Sequence, residues 1–145
     1  MKLIIPSDAS SQEATRRLME WSSALGYKTK PYSKGEMFSV RQRFTYSVWM
    51  TSGPDMRRII VTGTFPGNKN NRDPEGRLRF ANDLNVTYNI CKFSFDADAD
   101  LCCQQALYVD GELTPGLWRG FLDQCDLAIS WAFEHHKDEF TEFIS

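Results

Sequence analysis

The spacing of apolar residues changes along this chain from a helical period to strict alternation and back to a helical period. Ser10 and Glu13 have the spacing of a helix capping box. One helical face follows them, formed by Ala14, Leu18, Trp21 and Leu25. Between residues 43 and 50 the period is two, as in a half-buried strand. The apolar set there is Phe44, Tyr46, Val48 and Met50, and it alternates with Arg43, Thr45, Ser47 and Trp49. A chain that combines both periods is predicted to be an α+β protein.

The other segments extend this pattern. The helical period ends at Tyr27, and the turn residues at Ser33–Gly35 and Ser52–Asp55 predict three strands in the front half, the last at residues 57–65. A short helix is predicted from the cap at Asp73 to about Asn85. Two further strands, TYNICKFSF and LCCQQALYV, precede a helix of about 25 residues that begins at Thr114-Pro115 and carries apolar residues as far as Phe140. We expect an antiparallel sheet with flanking helices in the order α-β-β-β-α-β-β-α, in a single domain over residues 1–145.

Composition narrows the class of protein. Hydrophobic residues make up 41% of the 145 residues and charged residues 25%, as in an ordinary globular domain. No apolar run approaches the roughly 20 residues that cross a bilayer, and the first apolar patch is broken by Pro6. The prediction is a cytoplasmic protein. Its four cysteines form no CxxC motif, so buried free thiols are expected rather than disulfides.

Charge is distributed unevenly. Residues 1–80 contain 14 Lys and Arg against 7 Asp and Glu, whereas residues 81–145 contain 3 against 12. Such asymmetry is typical of a face that binds a partner. It is equally typical of basic and acidic parts that face each other within one fold or one dimer.

Three alternating acids, Asp96, Asp98 and Asp100, are the first candidate site. They match the first, third and fifth positions of a calcium-binding loop, but Leu101 stands where that loop needs Gly, and Leu107 where it needs Glu. Short acidic side chains also favour the turn of a β-hairpin, where they accept local backbone hydrogen bonds. We predict a hairpin turn and no metal site.

Catalysis is not indicated. His135 and His136 are neighbours on a predicted helix, so their rings point about 100° apart and cannot chelate one ion together. Nucleophile elbows, phosphate-binding loops and metalloprotease motifs are lacking. The sequence therefore predicts a non-enzyme with no catalytic residue and no cofactor.

Nucleic-acid binding is the alternative function. Four arginines are interleaved with aromatic residues across the predicted strands, a pattern that can stack bases over a cationic surface. The arginines are Arg41, Arg43, Arg57 and Arg58, and the aromatics are Phe44, Tyr46 and Trp49. The pI of about 5.7 argues against strong electrostatic binding.

The segment GRLRFANDLNVTYNICKFSFDADADLCCQQALYVDGELTPGLWRGFL, Gly76 to Leu122, resembles the YbjN domain family of bacterial sensory transduction regulators. The likeness lies in a short helix ending near Asn85, a strand, an acidic hairpin from Asp96, a strand ending at Asp110-Gly111, and a Thr-Pro before a long helix. The family has Gly at the hairpin tip, where this chain has Ala99. The resemblance implies the fold of type III secretion chaperones.

The resemblance also implies a function without turnover. Proteins of this kind are small, often homodimeric adaptors or regulators that hold a protein client by surface contacts. Aromatic residues make up 13% of this chain, more than one sheet and one helix layer are expected to bury. We therefore predict partner binding through Phe44, Tyr46, Trp49 and Trp131. A second core layer or a homodimer seam would also explain Trp49 and Trp131.

Overall fold

A computed structural model describes residues 4–52, 57–89 and 91–145. Within those ranges the chain forms six strands and four α-helices, with a short 3₁₀ turn at Ser33–Gly35 between the first two strands. In chain order they are α1 (Ser11–Ala24), β1 (Lys28–Tyr32), β2 (Met37–Arg41), β3 (Thr45–Ser52), β4 (Arg57–Phe65), α2 (Pro74–Thr87), β5 (Lys92–Phe95), β6 (Leu101–Val109), α3 (Pro115–His135) and α4 (Lys137–Phe143).

The strands form one sheet in the order β1-β2-β3-β4-β6-β5. Register is antiparallel in β1–β2, β2–β3 and β5–β6; Arg41, for example, pairs with Lys28 on one side and Thr45 on the other. The predicted α+β class and the antiparallel sheet are confirmed. No helix of the described ranges is long and apolar enough to span a membrane.

The observed order contains two elements more than we predicted. The front half has four strands instead of three, because the segment between the two predicted turns forms two antiparallel strands, β2 and β3, joined at residues 42–44. The closing helix is also divided: α3 ends at His135 and α4 begins at Lys137, with His136 in a non-helical conformation at φ −129°.

Helix starts agree with the predicted caps. The Ser10 hydroxyl accepts a hydrogen bond from the backbone N–H of Glu13 (3.1 Å), and the Asp73 carboxylate accepts one from Gly76 (2.9 Å). Each cap satisfies one of the N–H groups that a helix start leaves free. The Glu13 carboxylate does not complete the capping box and instead pairs with Arg16 and Arg17.

The fold consists of two compact units, each with its own buried apolar residues. The first unit comprises residues 1–61 and 106–124, and the second comprises residues 62–105 and 125–145. Within the first unit, Trp118 is fully buried and its indole N–H donates to the hydroxyl of Ser22 (2.9 Å).

The second unit is built around aromatic residues. Phe80 of α2 contacts Phe140 at 5.2 Å and Phe143 at 5.7 Å between ring centroids, and His136 packs on the same ring at 6.1 Å. The break at His136 allows α4 to turn its phenylalanines toward α2. Phe140 also stacks on Phe133 of α3, at 3.9 Å between centroids.

Candidate functional site

Strands β1, β2 and β3 of the first unit present two different faces. Phe38, Val40, Tyr46 and Val48 are buried, and they alternate with residues that are exposed or half-buried. Because successive side chains of a strand point to opposite faces, the second set shares one face of the sheet. We call this the open face.

The register of β1, β2 and β3 places the side chains of the open face in three rows that run across the strands. Lys28 pairs with Arg41, and Arg41 with Thr45, which forms a cationic row at one end. At the other end Tyr32 pairs with Met37, and Met37 with Trp49. Lys30, Ser39 and Ser47 form the row between them. The open face therefore has a cationic end and an apolar, aromatic end, about 13 Å apart at about 3.3 Å per residue along β1.

The strands of the open face carry positive charge and no negative charge. Strands β1 to β4, with the bounds given above, contain no Asp or Glu. Among the described residues, Lys28, Lys30 and Arg41 make no ion pair. Arg58 adds a fourth exposed cation, and its Nε donates to the Thr51 hydroxyl at 3.3 Å. Such a surface attracts a ligand that carries negative charge.

Beside the apolar row, two neighbouring cavities separate α1 from β2 and β3. One has a volume of about 310 Å³ and is lined by Ser11, Gln12 and Thr15 of α1 together with Glu36, Met37, Trp49 and Met50. The other, of about 260 Å³, shares Gln12, Thr15 and Met37 and adds Met19 and Phe38. Methionine side chains are flexible and adapt to different apolar partners. We call this pair of cavities the methionine groove.

The structure separates the four residues predicted to bind a partner. Trp49 lies on the open face, and Phe44 is half-buried at the end of the β2–β3 hairpin, with the Arg43 guanidinium 5.7 Å from its ring centroid. Tyr46 is only 2% exposed and faces the core. Trp131 is 45% exposed on α3, in the second unit. The open face thus contains one of the four, Trp49.

Arg57 also differs from the other predicted arginines, because it is buried. Its Nη2 donates to the backbone oxygen of Ala9, and its Nε has no hydrogen-bond partner among the described residues. Burial lowers its pKa, an effect that the nearby Asp8 partly opposes. The contribution of Arg57 is therefore structural, whereas Arg41, Arg43 and Arg58 are exposed.

Structure comparison identifies the fold. The crystal structure of YbjN from E. coli, described as a proposed transcription regulator, matches with a TM-score of 0.57 over 84% of this chain and 92% of that chain. The chain has a YbjN-like fold. The two sequences are 16% identical, so the likeness establishes the fold alone. No family model and no curated protein matches the sequence.

In this YbjN-like fold the acidic segment forms the predicted β-hairpin turn. One carboxylate oxygen of Asp96 accepts the backbone N–H groups of Asp98 and Asp100, both at 2.9 Å. Ala99 adopts φ +63° at the tip of the hairpin. An alanine can occupy this region at a modest cost in strain.

One of the three acids also holds a neighbouring loop. The Asp100 carboxylate accepts hydrogen bonds from the backbone N–H of Gly67 (2.8 Å) and from the Lys69 ammonium (2.9 Å). These donors lower the pKa of Asp100, because they favour its charged form. One ligand atom from each of the three acids lies within 4.8 Å of the others. The Lys69 ammonium already provides a positive charge at this cluster.

The two histidines have different surroundings. His135 contacts the Tyr88 hydroxyl through Nδ1 at 3.3 Å. His136 packs against the rings of Phe80 and Tyr88.

Proposed function

We propose that this chain is a non-enzymatic protein-binding module, a chaperone-like adaptor or regulator that holds an acidic segment of a partner protein on the open face. One observation supports this most strongly: cationic and apolar residues occupy opposite ends of a sheet face without any acid on its strands. Such a surface needs no reaction chemistry to be useful, because its complementarity alone selects a partner.

The layout specifies the chemistry of the partner. Its carboxylates would meet Lys28, Lys30 and Arg41, while a large apolar side chain about 13 Å further along would contact Tyr32, Met37 and Trp49. An extended segment of about four to five residues covers that distance. We therefore expect acidic residues followed by an apolar anchor.

Nucleic acid is the second candidate ligand. Tyr32 and Trp49 are half-buried in one row of the open face, and flat aromatic rings beside cations can stack bases. The net charge of −2 and the flexible Met37 beside Trp49 favour a protein segment instead.

Fluorescence anisotropy with defined probes distinguishes these ligands. We expect a labelled peptide with several Asp or Glu residues followed by Leu and Phe to bind, and the matched peptide with Asn and Gln to bind at least about tenfold more weakly. A mixed-sequence single-stranded oligonucleotide should bind weakly. Tighter binding of the oligonucleotide than of the acidic peptide would favour the nucleic-acid function.

A charge-matched pair of variants locates the contact. Replacing Lys28, Lys30 and Arg41 with Ala should abolish most peptide binding. Replacing three other exposed arginines, Arg72, Arg79 and Arg119, with Ala removes the same charge and should leave binding nearly unchanged. Equal losses in both variants would contradict a site on the open face.

The proposal includes a cytoplasmic homodimer, as the resemblance implies. One chain has a mass of 16.7 kDa, and light scattering after gel filtration should give twice that value. A strictly monomeric chain would contradict the homodimer. It would not decide whether a partner binds the open face, which the anisotropy experiment tests separately.

A further inference from the structure

Two buried thiols of the second unit lie almost within bonding distance. The sulfur of Cys91, just before β5, is 2.9 Å from that of Cys103 in β6. Phe93 pairs with Cys103 in the strand register, so Cys91, two residues before Phe93, is placed toward the same buried face. A disulfide bond is about 2.05 Å long, so only a small movement of the sulfurs is needed to form one.

A buried amide is directed at the same sulfur. The Gln105 side chain is 4% exposed, and its Nε2 donates to the Cys91 sulfur at 2.8 Å. The carbonyl oxygen of that amide is buried and has no hydrogen-bond partner in the described chain. A buried acceptor without a partner is costly, and it can be satisfied by an O–H group that appears at the Cys91 sulfur.

The surrounding groups give the two thiols different characters. Hydrogen bonds from Cys103 and Gln105 lower the pKa of Cys91, since both stabilise its thiolate. The pKa of Cys103 is raised by its hydrogen bond to Cys91 and by burial. Burial likewise raises the pKa of Cys125 and of the half-buried Cys102. Cys91, the thiol at which the Gln105 amide is directed, is thus the one whose thiolate is stabilised by its surroundings.

We propose that Cys91 and Cys103 are an oxidation site for a small hydroperoxide, which converts the two thiols into one disulfide. The Cys91 thiolate attacks the terminal peroxide oxygen, the O–O bond breaks, and the leaving oxygen departs as water or an alcohol after taking a proton. Cys91 is then a sulfenic acid whose O–H donates to the Gln105 carbonyl. The Cys103 sulfur displaces that oxygen as a second water, so two electrons and two protons have passed from the thiols to the peroxide.

Peroxide is the oxidant that fits this location. Cys91 is 5% exposed and Cys103 2%, so a bulky disulfide reagent cannot reach them without local opening. Cys91 adjoins a strand of only four residues at the sheet edge, where local opening has the lowest cost.

Intact-mass analysis of the full chain tests this site. After hydrogen peroxide and alkylation under denaturing conditions, the chain should have lost two hydrogens and should carry two alkyl groups, on Cys102 and Cys125. Peptide mapping should link Cys91 to Cys103, and dithiothreitol should restore four reactive thiols. Four alkylated cysteines after peroxide, a link through Cys102 or Cys125, or Cys91 oxidised to sulfinic acid without a link would each overturn the proposal.

Two variants separate the site from general thiol oxidation. Cys102→Ser removes a thiol of the opposite sheet face and should leave the Cys91–Cys103 link and its rate unchanged. Gln105→Leu should slow formation of the link about tenfold, the loss expected for one hydrogen bond to a charged group. An unchanged rate in Gln105→Leu, with circular dichroism matching the wild type, would contradict the role of the amide.

Discussion

Single glycines show how closely the β5–β6 hairpin approaches the loop before α2. A Cβ on Gly67 would lie 1.9 Å from the backbone oxygen of Ala99, whereas a Cβ on Gly120 of α3 would meet nothing within 4 Å. Gly67→Ala should therefore lower the free energy of unfolding by about 3 kcal/mol, because backbone must move. Gly120→Ala should raise it by about 0.5–1 kcal/mol through helix propensity. Denaturant unfolding of the two variants compares them directly, and similar effects would contradict the close approach.

Asn85 completes the edge strand β5 with its side chain. Its amide donates to the backbone oxygen of Phe93 (2.9 Å) and accepts from the N–H of the same residue (2.7 Å), in the manner of a neighbouring strand. Asn85→Ala should lower the free energy of unfolding by about 2 kcal/mol, since two hydrogen bonds are lost. Asn82→Ala, an exposed position of the same helix, is the control and should be neutral. Equal stability of the two variants would show that the bridge contributes nothing.

The hydrogen bonds of Asp100 predict that part of the free energy of unfolding is lost in acid. Gly67 and Lys69 lower its pKa in the folded state below the value of about 3.9 in an unfolded chain. The carboxylate therefore stabilises the fold above about pH 4, and this contribution disappears as the pH falls through the lowered pKa. The difference in unfolding midpoint between wild type and Asp100→Asn should be constant near neutrality and shrink below about pH 4. A difference that stays the same at pH 3, or one reproduced by Asp98→Asn, would contradict this assignment.

Among the helices and strands, α1 and α3 are joined within the first unit by one buried hydrogen bond. The Ser22 hydroxyl accepts the indole N–H of Trp118 at 2.9 Å and donates to the Leu18 carbonyl at 2.7 Å. Ser22→Ala would leave the indole N–H without a partner, so we expect a loss of about 2 kcal/mol. Ser23→Ala, at an exposed position of the same helix, should cost less than half of that in the same thermal unfolding experiment.

Sequence patterns predicted the helices and strands whose own residues have a cap or an apolar periodicity. Ser10 and Asp73 marked two helix starts, and the alternation of Tyr46 and Val48 marked β3 and its buried face. The turn between β2 and β3 was missed, because Gln42 and Arg43 lack the Gly, Pro, Asn or Asp that marks a turn. The break at His136 was missed as well, since it follows from packing of α4 on Phe80, which is distant in sequence.

For the protein as a whole, the sequence indicated that the first half is basic, but it did not predict which face of the sheet carries the basic side chains. Arg41 and Arg58 were recognised, whereas Lys28 and Lys30 could be placed beside Arg41 only once the register of β1 against β2 was known. Arg57 and Arg58 are neighbours in sequence, yet one is buried and the other exposed, because a strand directs them to opposite faces. The nearness of Cys91 to Cys103 likewise depends on strand pairing, which no spacing of cysteines revealed.

Lysine footprinting on the acidic peptide complex tests the binding site most directly. With the peptide bound, acetylation of Lys28 and Lys30 should slow several-fold relative to the free protein, while that of Lys92 and Lys137 should not change. The matched peptide with Asn and Gln, at the same concentration, should protect none of them. Protection of Lys92 or Lys137 with Lys28 and Lys30 still fully reactive would contradict the open face as the site of partner binding.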